Sequence, residues 1–389
     1  MVDLMLGGNP ADADAASGTK RPAIDISALI DKSSMSKLQL RVILLCTVVA
    51  AFEGYDLQAV AFVAPVLSDE FGIDAGAMGL LFGAFLVGMA FGNAFIGSVA
   101  DRLGRRKILI ASLLAYGACV VATGFSDSLT TLLIVRFLTG VGMGGAGPVY
   151  VALASEYSPR RSRSTALMCV LTGIPAGAIV GGLIAAWIVP AFGWQSVFFV
   201  GGALPLVAAV LFVPTLPESI RFLASQPDAA KRIRPLAERI APQQQFTADS
   251  QFTVQGETSP GGIRLPALFQ DGRAAMTLLI WLALFSIQFM AYFLLSWTPT
   301  LLIDAGIPLS TAILGATVIS IGGLVGSILL GVLSDSLRRP VLVLCVACAI
   351  SIPAVVLLPM TLASIVWSFA LIFILGGAEL VKGVESIGC

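Results

Sequence analysis

Two acidic residues, Glu53 and Asp56, lie one helical turn apart within a stretch of sequence that is otherwise apolar. A charged group at the centre of a membrane-spanning helix costs roughly 2.5–3.5 kcal/mol on insertion scales, so both side chains are expected to face a wet or ion-paired interior. A carboxyl group in apolar surroundings also holds a proton more readily than one in water. The pair therefore predicts a proton-coupled membrane carrier.

The composition agrees with that interpretation. The chain of 389 residues is 57% hydrophobic and only 12% charged, with a mean hydropathy of +0.94. Soluble proteins carry about 25% charged residues, so this composition predicts a polytopic membrane protein. The sequence contains no histidine, which removes the usual near-neutral titrating group and the commonest metal ligand. Any proton relay is expected to use carboxylates, and no metal or other cofactor is predicted.

Apolar segments of about 20 residues predict ten membrane-spanning helices and an all-α fold. A polar stretch between the sixth and seventh segments predicts two helical bundles joined by a loop. The expected domains are a cytoplasmic tail at 1–41, a six-helix bundle at 42–214, a central cytoplasmic loop at 215–273 and an incomplete, roughly four-helix bundle at 274–389. The spans are predicted at 42–64, 76–99, 108–125, 129–152, 165–189, 196–214, 274–297, 311–333, 341–359 and 361–381.

Apart from Arg136 within a span and Lys382 at the tail, lysine and arginine occur only in alternate connections. They precede the first span and follow the second, fourth, sixth and eighth, whereas the connections near 65–75, 126–128, 190–195, 298–310 and 360 contain neither residue. Cytoplasmic loops are enriched in these side chains. The first 40 residues are polar and lack the apolar core of a signal peptide. The tail and the central loop are therefore expected on the cytoplasmic side of the inner (plasma) membrane, with lipid around the spans.

The connection after the second span carries a motif that recurs after the eighth. The first copy is Gly97-Ser-Val-Ala-Asp101-Arg102-Leu-Gly104-Arg105-Arg106, and it resembles the cytoplasmic signature G-x-x-x-D-R-x-G-R-R of the major facilitator superfamily. An aspartate there can cap the next helix or pair with an arginine, which would lock two helix ends together; ordinary topology-setting charge is the alternative. The residues expected to act in conformational gating are Gly97, Asp101, Arg102, Gly104, Arg105, Arg106, Asp335, Arg338 and Arg339.

Arg136 lies inside the fourth predicted span, where an arginine must find a carboxylate, carbonyl groups or water. It begins the sequence Arg136-Phe-Leu-Thr-Gly-Val-Gly-Met-Gly144, which resembles the superfamily's fourth-helix motif R-x-x-x-G-x-G-x-G. The resemblance implies that Arg136 lies near the proton site or the substrate carboxylate. The alternative is a side chain that reaches the membrane surface from about two turns inside the helix.

Glu53-Gly54-Tyr55-Asp56 resembles the first-helix motif D-G-[YF]-D of the aromatic acid:proton symporters, which carry benzoate-like and hydroxybenzoate-like anions. Here glutamate stands where aspartate is usual, which moves the charge by about one bond length. The resemblance implies alternating access of two bundles, with Glu53 and Asp56 coupling transport to protons; an acid pair that only orients helices is the alternative. The residues expected to contact an aromatic carboxylate are Arg136, Tyr55, Gln288 and Tyr292.

The sequence leaves other functions open. Sugar porters also carry Gly-Tyr-Asp in the first helix, but they usually place paired glutamines in the seventh, where this chain has a single glutamine, Gln288. Another organic-anion porter is a further alternative. The superfamily has twelve helices, and charged residues interrupt the tenth span here, so a truncated, non-transporting product is also considered. The sequence shows no nucleophile–base pair and no phosphate-binding loop, so neither an enzyme nor a nucleic-acid partner is expected.

Overall fold

The computed structural model of the protein describes residues 24–226, 228–244, 246, 252–253, 269–270, 274–337, 340–361 and 364–379. Almost all of these residues are helical. The helices of the first half are α1 (Ile26–Lys32), α2 (Lys37–Phe71), α3 (Ala75–Leu103), α4 (Arg105–Thr123), α5 (Leu129–Tyr157), α6 (Arg163–Leu171), α7 (Gly173–Phe192) and α8 (Gln195–Thr215). They are followed by α9 (Ile220–Ala224), α10 (Ala229–Ile240), α11 (Ala274–Asp304), α12 (Leu309–Leu337), α13 (Pro340–Thr361) and α14 (Ile365–Glu379).

Helices occupy each of the ten predicted spans. An α-helix satisfies its own backbone hydrogen bonds, which lipid cannot do, so it is the expected element for an apolar segment of this length. Within the described residues, seven segments are long and apolar enough to cross a bilayer: Lys37–Phe71, Ala75–Leu103, Arg105–Thr123, Leu129–Tyr157, Arg160–Phe192, Gln195–Thr215 and Leu309–Gly326. The predicted all-α, multi-pass membrane fold is confirmed.

Short polar signals in the sequence fix the ends of α2. At its start, the Ser36 hydroxyl accepts a hydrogen bond from the Gln39 amide at 3.3 Å, and the Gln39 side chain accepts one from the Ser36 amide at 2.7 Å. This reciprocal pair is a capping box and satisfies two backbone donors that a helix start leaves open. At its end, Gly72 adopts φ +60°, the left-handed conformation that glycine reaches without strain.

The fifth predicted span differs from the structure because it is divided in two. α6 ends at Leu171 and α7 begins at Gly173, with a turn at Thr172 between them. Pro175 has no amide hydrogen and therefore cannot donate to the carbonyl of Leu171 four residues earlier. The missing hydrogen bond explains the turn at Thr172 within a span that the continuous apolar pattern predicted as one helix.

We use the term basic end for the end of the first bundle that carries Arg102–Lys107 and Arg160–Arg163. A chain of hydrogen bonds crosses it. Gln39 of α2 donates to the Tyr157 carbonyl at 2.8 Å, and the Tyr157 hydroxyl donates to the Glu218 carbonyl at 2.7 Å. The Glu218 carboxylate in turn accepts from the Arg106 amide at 2.9 Å. These contacts tie the start of α2, the end of α5, the segment before α9 and the start of α4 together.

The segments that flank the first bundle are also ordered at the basic end. Strand β1 (Ile24–Asp25) pairs in parallel with strand β2 (Phe252–Thr253), so the start of the described chain contacts the central loop. The amphipathic helix α10 buries Ile233, Ala237 and Ile240 in the same apolar core as α1.

The two halves of the chain meet through α7 with α12 and through α2 with α11. Gln58 of α2 donates to the Ser320 hydroxyl of α12 at 3.2 Å. Phe82, about two turns into α3, packs edge-to-face on Trp297 with ring centroids 5.8 Å apart. In contrast, large apolar side chains in the first turns of α11 are exposed, among them Met276, Leu279 and Leu282. The described contacts between the halves therefore lie away from the basic end.

Candidate functional site

The central feature of the first bundle is a buried ion pair between α5 and α2. Arg136 Nη1 donates to Asp56 Oδ1 at 2.8 Å, and Nη2 donates to Oδ2 at 3.0 Å. Arg136 is 2% exposed and Asp56 is fully buried. A two-point arginine–carboxylate contact is among the strongest hydrogen-bonded pairs in proteins. The arginine therefore meets its need for a partner inside the bundle rather than at the membrane surface.

Glycines in the fourth-span motif allow α3 to pack closely against α5 beside this pair. A side chain at Gly140 or Gly144 would overlap the backbone carbonyl of Phe85 or Met89 in α3, so both positions require the absence of a Cβ. This close packing sets the Phe85 ring under the Arg136 guanidinium, with 4.7 Å between the guanidinium carbon and the ring centroid. The ring face adds an electrostatic attraction for the cation.

Glu53 has a different partner. Its Oε2 atom accepts a hydrogen bond of 2.8 Å from the hydroxyl of Tyr150 in α5. The side chain of Glu53 is buried, and the ion pairs of the described residues do not include it. The two acids of the first-helix motif therefore have distinct environments, one facing a cation and the other a neutral hydroxyl.

Tyr55, the aromatic residue of the first-helix motif, faces α8 rather than the Arg136–Asp56 pair. The Tyr55 hydroxyl donates to the Val197 carbonyl of α8 at 2.8 Å, and its ring lies against Gly181 and Gly201. Tyr55 thus packs α2 against α7 and α8, and the structure does not bring it together with Arg136, although the sequence predicted both as substrate contacts. Gly54 is equally constrained, since a Cβ there would overlap the Ile174 backbone of α7.

A cavity opens beside the ion pair between the two halves of the chain. It is small, about 20 Å³, which is room for about one water molecule, and Arg136, Tyr292 and Ser296 supply its polar groups. The full lining is Leu57, Val60, Leu81, Phe82, Phe85, Leu86, Arg136, Tyr292 and Ser296. A second, more open cavity of about 330 Å³ shares Phe82, Leu86, Tyr292 and Ser296 with the first and adds Gln288 with several aromatic rings. The structure brings Arg136 and Tyr292 to one cavity, while Gln288 lines only the second.

The predicted gating motif joins three elements at the basic end. Arg105 contacts the buried carboxylate of Glu156, in the last turn of α5, through a hydrogen-bonded ion pair, and the Ser219 hydroxyl donates to the same carboxylate at 2.6 Å. Asp101 is 3.3 Å from Arg105 and does not cap α4, whose cap is Gly104 with φ +99°.

The remaining gating residues of the first copy of the motif do not take part in the Arg105–Glu156 ion pair. Arg102 is exposed, Gly97 lies near the Pro148 ring of α5, and the guanidinium of Arg106 donates to the Val213 carbonyl. In the second copy of the motif, Asp335, Arg338 and Arg339 lie outside the residues whose side chains the structure describes.

Two residues of the site, Tyr150 and Glu156, received no role from the sequence. A signal existed for each, because a tyrosine hydroxyl in the middle of a span and a glutamate at its end both need partners in a low-dielectric setting. Their partners could not be predicted, since Tyr150 meets Glu53 across 97 residues of sequence and Glu156 meets Arg105 across 51.

Comparison with known proteins decides the family. The family model described as Major Facilitator Superfamily matches residues 45–381. The chain belongs to the major facilitator superfamily. Its solved structural neighbours share the fold: the xylose transporter XylE from E. coli in a partially occluded inward-open conformation superposes with a TM-score of 0.70 at 18% identity, over 90% of this chain and 84% of that one.

Curated relatives of this major facilitator protein are similar over most of its length. The 4-hydroxybenzoate transporter PcaK of Acinetobacter baylyi is 36% identical over 83% of this chain and 72% of the relative. The gallate transporter of Pseudomonas putida is 34% identical over 84% and 72%, and the benzoate transport protein of A. baylyi is 32% identical over 80% and 68%. The predicted resemblance to the aromatic acid branch is confirmed, and this member of a transporter family is not an enzyme.

Proposed function

We propose that the protein is a symporter that imports aromatic carboxylates such as benzoate or hydroxybenzoate together with protons, by alternating access of its two halves. The single observation that carries this proposal is the buried Arg136–Asp56 pair at the wall of an apolar cavity. The names of the relatives, which are transporters of 4-hydroxybenzoate, gallate and benzoate, support the same substrate class.

The ion pair gives a physical reason for coupling. A buried arginine without a carboxylate partner is strongly destabilising. When Asp56 takes a proton, its charge is lost, and the carboxylate of a substrate in the cavity can replace it as the partner of Arg136. Proton binding at Asp56 and anion binding at Arg136 therefore favour one another, and one proton and one monovalent anion add no net charge to the site.

The small cavity at Arg136 and its neighbour of about 330 Å³ share Phe82 and Tyr292, so together they have room for an aromatic ring. Phe82, Phe85 and Tyr292 offer flat surfaces, and aromatic pairs are worth about 0.5–1.5 kcal/mol beyond the burial of apolar area. A carboxylate held by Arg136 would leave the ring of the same molecule against these residues. Tyr292 supplies the one phenolic hydroxyl among the residues that line this cavity, and it could bond a ring substituent.

A second acid allows a second proton. Glu53 lies one turn from Asp56 and is buried without a cation among the described contacts, so we assign it a further coupling role. A proton carried there would make the loaded site one charge more positive than the empty site, so each transport cycle would move one net positive charge inward. The membrane potential would then contribute about 2.3 kcal/mol per 100 mV to import.

We further propose that the basic end faces the cytoplasm and that the protein resides in the inner (plasma) membrane with a cytoplasmic N-terminus. The alternation of basic and non-basic connections supports this orientation. The contacts between the halves near the opposite end, with the exposed first turns of α11, support a state open toward the cytoplasm. The ion pair between Arg105 and Glu156 would hold the basic ends of α4 and α5 together in that state.

Uptake into proteoliposomes tests the proposal. Labelled 4-hydroxybenzoate should accumulate when the outside is acidified, and a protonophore and Asp56→Asn should both abolish accumulation. Glucose and xylose should not compete, because the cavity walls offer few hydrogen-bonding groups for sugar hydroxyls. Competition by a sugar with none by benzoate would favour the sugar porter alternative, and absence of transport of either class would favour a non-transporting protein.

A further inference from the structure

The two carboxylates of α2 are held at different heights along α5. Arg136, the partner of Asp56, and Tyr150, the partner of Glu53, are separated by about four turns of α5. Side chains on a helix lean toward its N-terminus, and α2 begins at the basic end, so Glu53 leans toward that end. The Glu53–Tyr150 contact therefore lies on the basic-end side of the Asp56–Arg136 pair.

We propose that Tyr150 is a positioning residue that holds the Glu53 carboxylate for proton release toward the basic end; this rests on the symport function proposed above. The proton leaves the Glu53 carboxyl for a water molecule, and the hydroxyl hydrogen stays on Tyr150 and is donated to the carboxylate that remains. A hydrogen bond donated to a carboxylate favours its ionised form. Tyr150 thus makes the unloaded carrier easier to form.

The proposal explains why a glutamate occupies this position. An aspartate is shorter by one methylene group, so its carboxylate would lie about 1.5 Å further from the Tyr150 hydroxyl. A contact of 2.8 Å would then exceed hydrogen-bond range. Glu53 replaces the aspartate of the symporter motif, and Tyr150 on the facing helix is the partner that this longer side chain reaches.

Other polar groups near Glu53 have separate roles. Asp56 and Arg136 neutralise one another, and the Tyr116 hydroxyl of α4 donates to the Phe52 carbonyl at 3.0 Å. Tyr292 of α11 and Tyr116 lie within electrostatic range of Glu53, and Cys46 of α2 lies within electrostatic range of Tyr150. Among the described hydrogen bonds, that from Tyr150 is the one that reaches the Glu53 carboxylate.

The test compares two transport modes of the full chain in proteoliposomes. Net uptake of 4-hydroxybenzoate requires proton release and return of the empty carrier, whereas exchange of internal for external 4-hydroxybenzoate requires neither. Tyr150→Phe should lower net uptake at least fivefold at internal pH 7 and move the midpoint of its dependence on internal pH about one unit to the alkaline side, a tenfold change in proton affinity. Exchange should stay within about twofold of the wild type.

Further variants separate positioning from a general structural role. Glu53→Asp should shift the pH profile in the same direction, and Tyr150→Phe should add nothing in that background. Tyr116→Phe, which removes a buried hydroxyl bonded to a backbone carbonyl, should leave the pH midpoint unchanged.

An unshifted profile in Tyr150→Phe, additive effects in the double variant, or a parallel loss of exchange and net uptake would each overturn the role of Tyr150. Absence of proton-driven uptake by the wild type would instead overturn the proposed function.

Discussion

Gly182 of α7 faces the hydroxyl of Thr317 in α12 so closely that a Cβ at Gly182 would overlap it. The contact joins the two halves of the chain, and the Gln58–Ser320 hydrogen bond belongs to the same interface. The halves can adopt the observed arrangement because position 182 carries no side chain.

We therefore expect Gly182→Ala to disfavour this arrangement. The added methyl group forces α7 and α12 apart, so net uptake of 4-hydroxybenzoate should fall at least tenfold. Gly147→Ala is the matched control, since the nearest atom to its Cβ is Asn93 Oδ1 at an ordinary 3.5 Å. Equal behaviour of the two variants would contradict the steric explanation.

The Arg136–Asp56 pair gives a prediction about ligand-dependent stability. Asp56→Asn leaves a buried guanidinium without a counter-charge and should lower the free energy of unfolding by about 3–5 kcal/mol. An aromatic carboxylate that takes the place of Asp56 should restore part of this loss. Thermal unfolding in detergent with and without benzoate measures the effect, with benzyl alcohol as the uncharged control ligand. Equal stabilisation by the two ligands would contradict direct pairing with Arg136.

Tyr292 and Gln288 are predicted to differ, although the sequence placed both at the substrate. Tyr292 lines the cavity that contains Arg136, so Tyr292→Ala should raise the KM for 4-hydroxybenzoate about three- to tenfold through lost ring contact. Gln288 lines only the second, more open cavity and is exposed, and Gln288→Ala should change KM less than twofold. Initial rates of uptake over a range of substrate concentrations check both values. A larger effect at Gln288 would show that the substrate lies away from Arg136, on the Gln288 side of the second cavity.

The basic end offers a contrast between two carboxylates that contact the same arginine. Glu156 is buried and bonds to Arg105 and Ser219, so Glu156→Gln should lower the free energy of unfolding by about 1.5–3 kcal/mol. The Asp101 side chain is 70% exposed at 3.3 Å from Arg105, and Asp101→Asn should cost less than about 1 kcal/mol. Denaturant titrations of the purified variants give both quantities, and a reversed order would show that the motif's aspartate is the stronger contact.

The long helices could be predicted from sequence because apolar length alone determines them. The break at Thr172 was missed, since the proline that causes it lies inside an apolar run of the right length. Arg136 was expected to need a carboxylate, carbonyl groups or water, and the sequence left open which of these it contacts. The choice of Asp56 depends on how α5 packs across α2, with 80 residues between the partners. Tyr55 was placed at the substrate because of its motif, whereas helix rotation turns it toward α8.

The hydrogen bonds from Gln39 through Tyr157 and Glu218 to Arg106 connect segments that are far apart in sequence. None of the described links in that series reaches the second half of the chain. These bonds favour a movement between outward and inward openings in which the basic ends of α2, α4 and α5 keep their relative positions. Amide protons at those helix ends would then exchange with solvent at rates independent of bound substrate, and the surfaces that slide would be those between α7 and α12 and between α2 and α11.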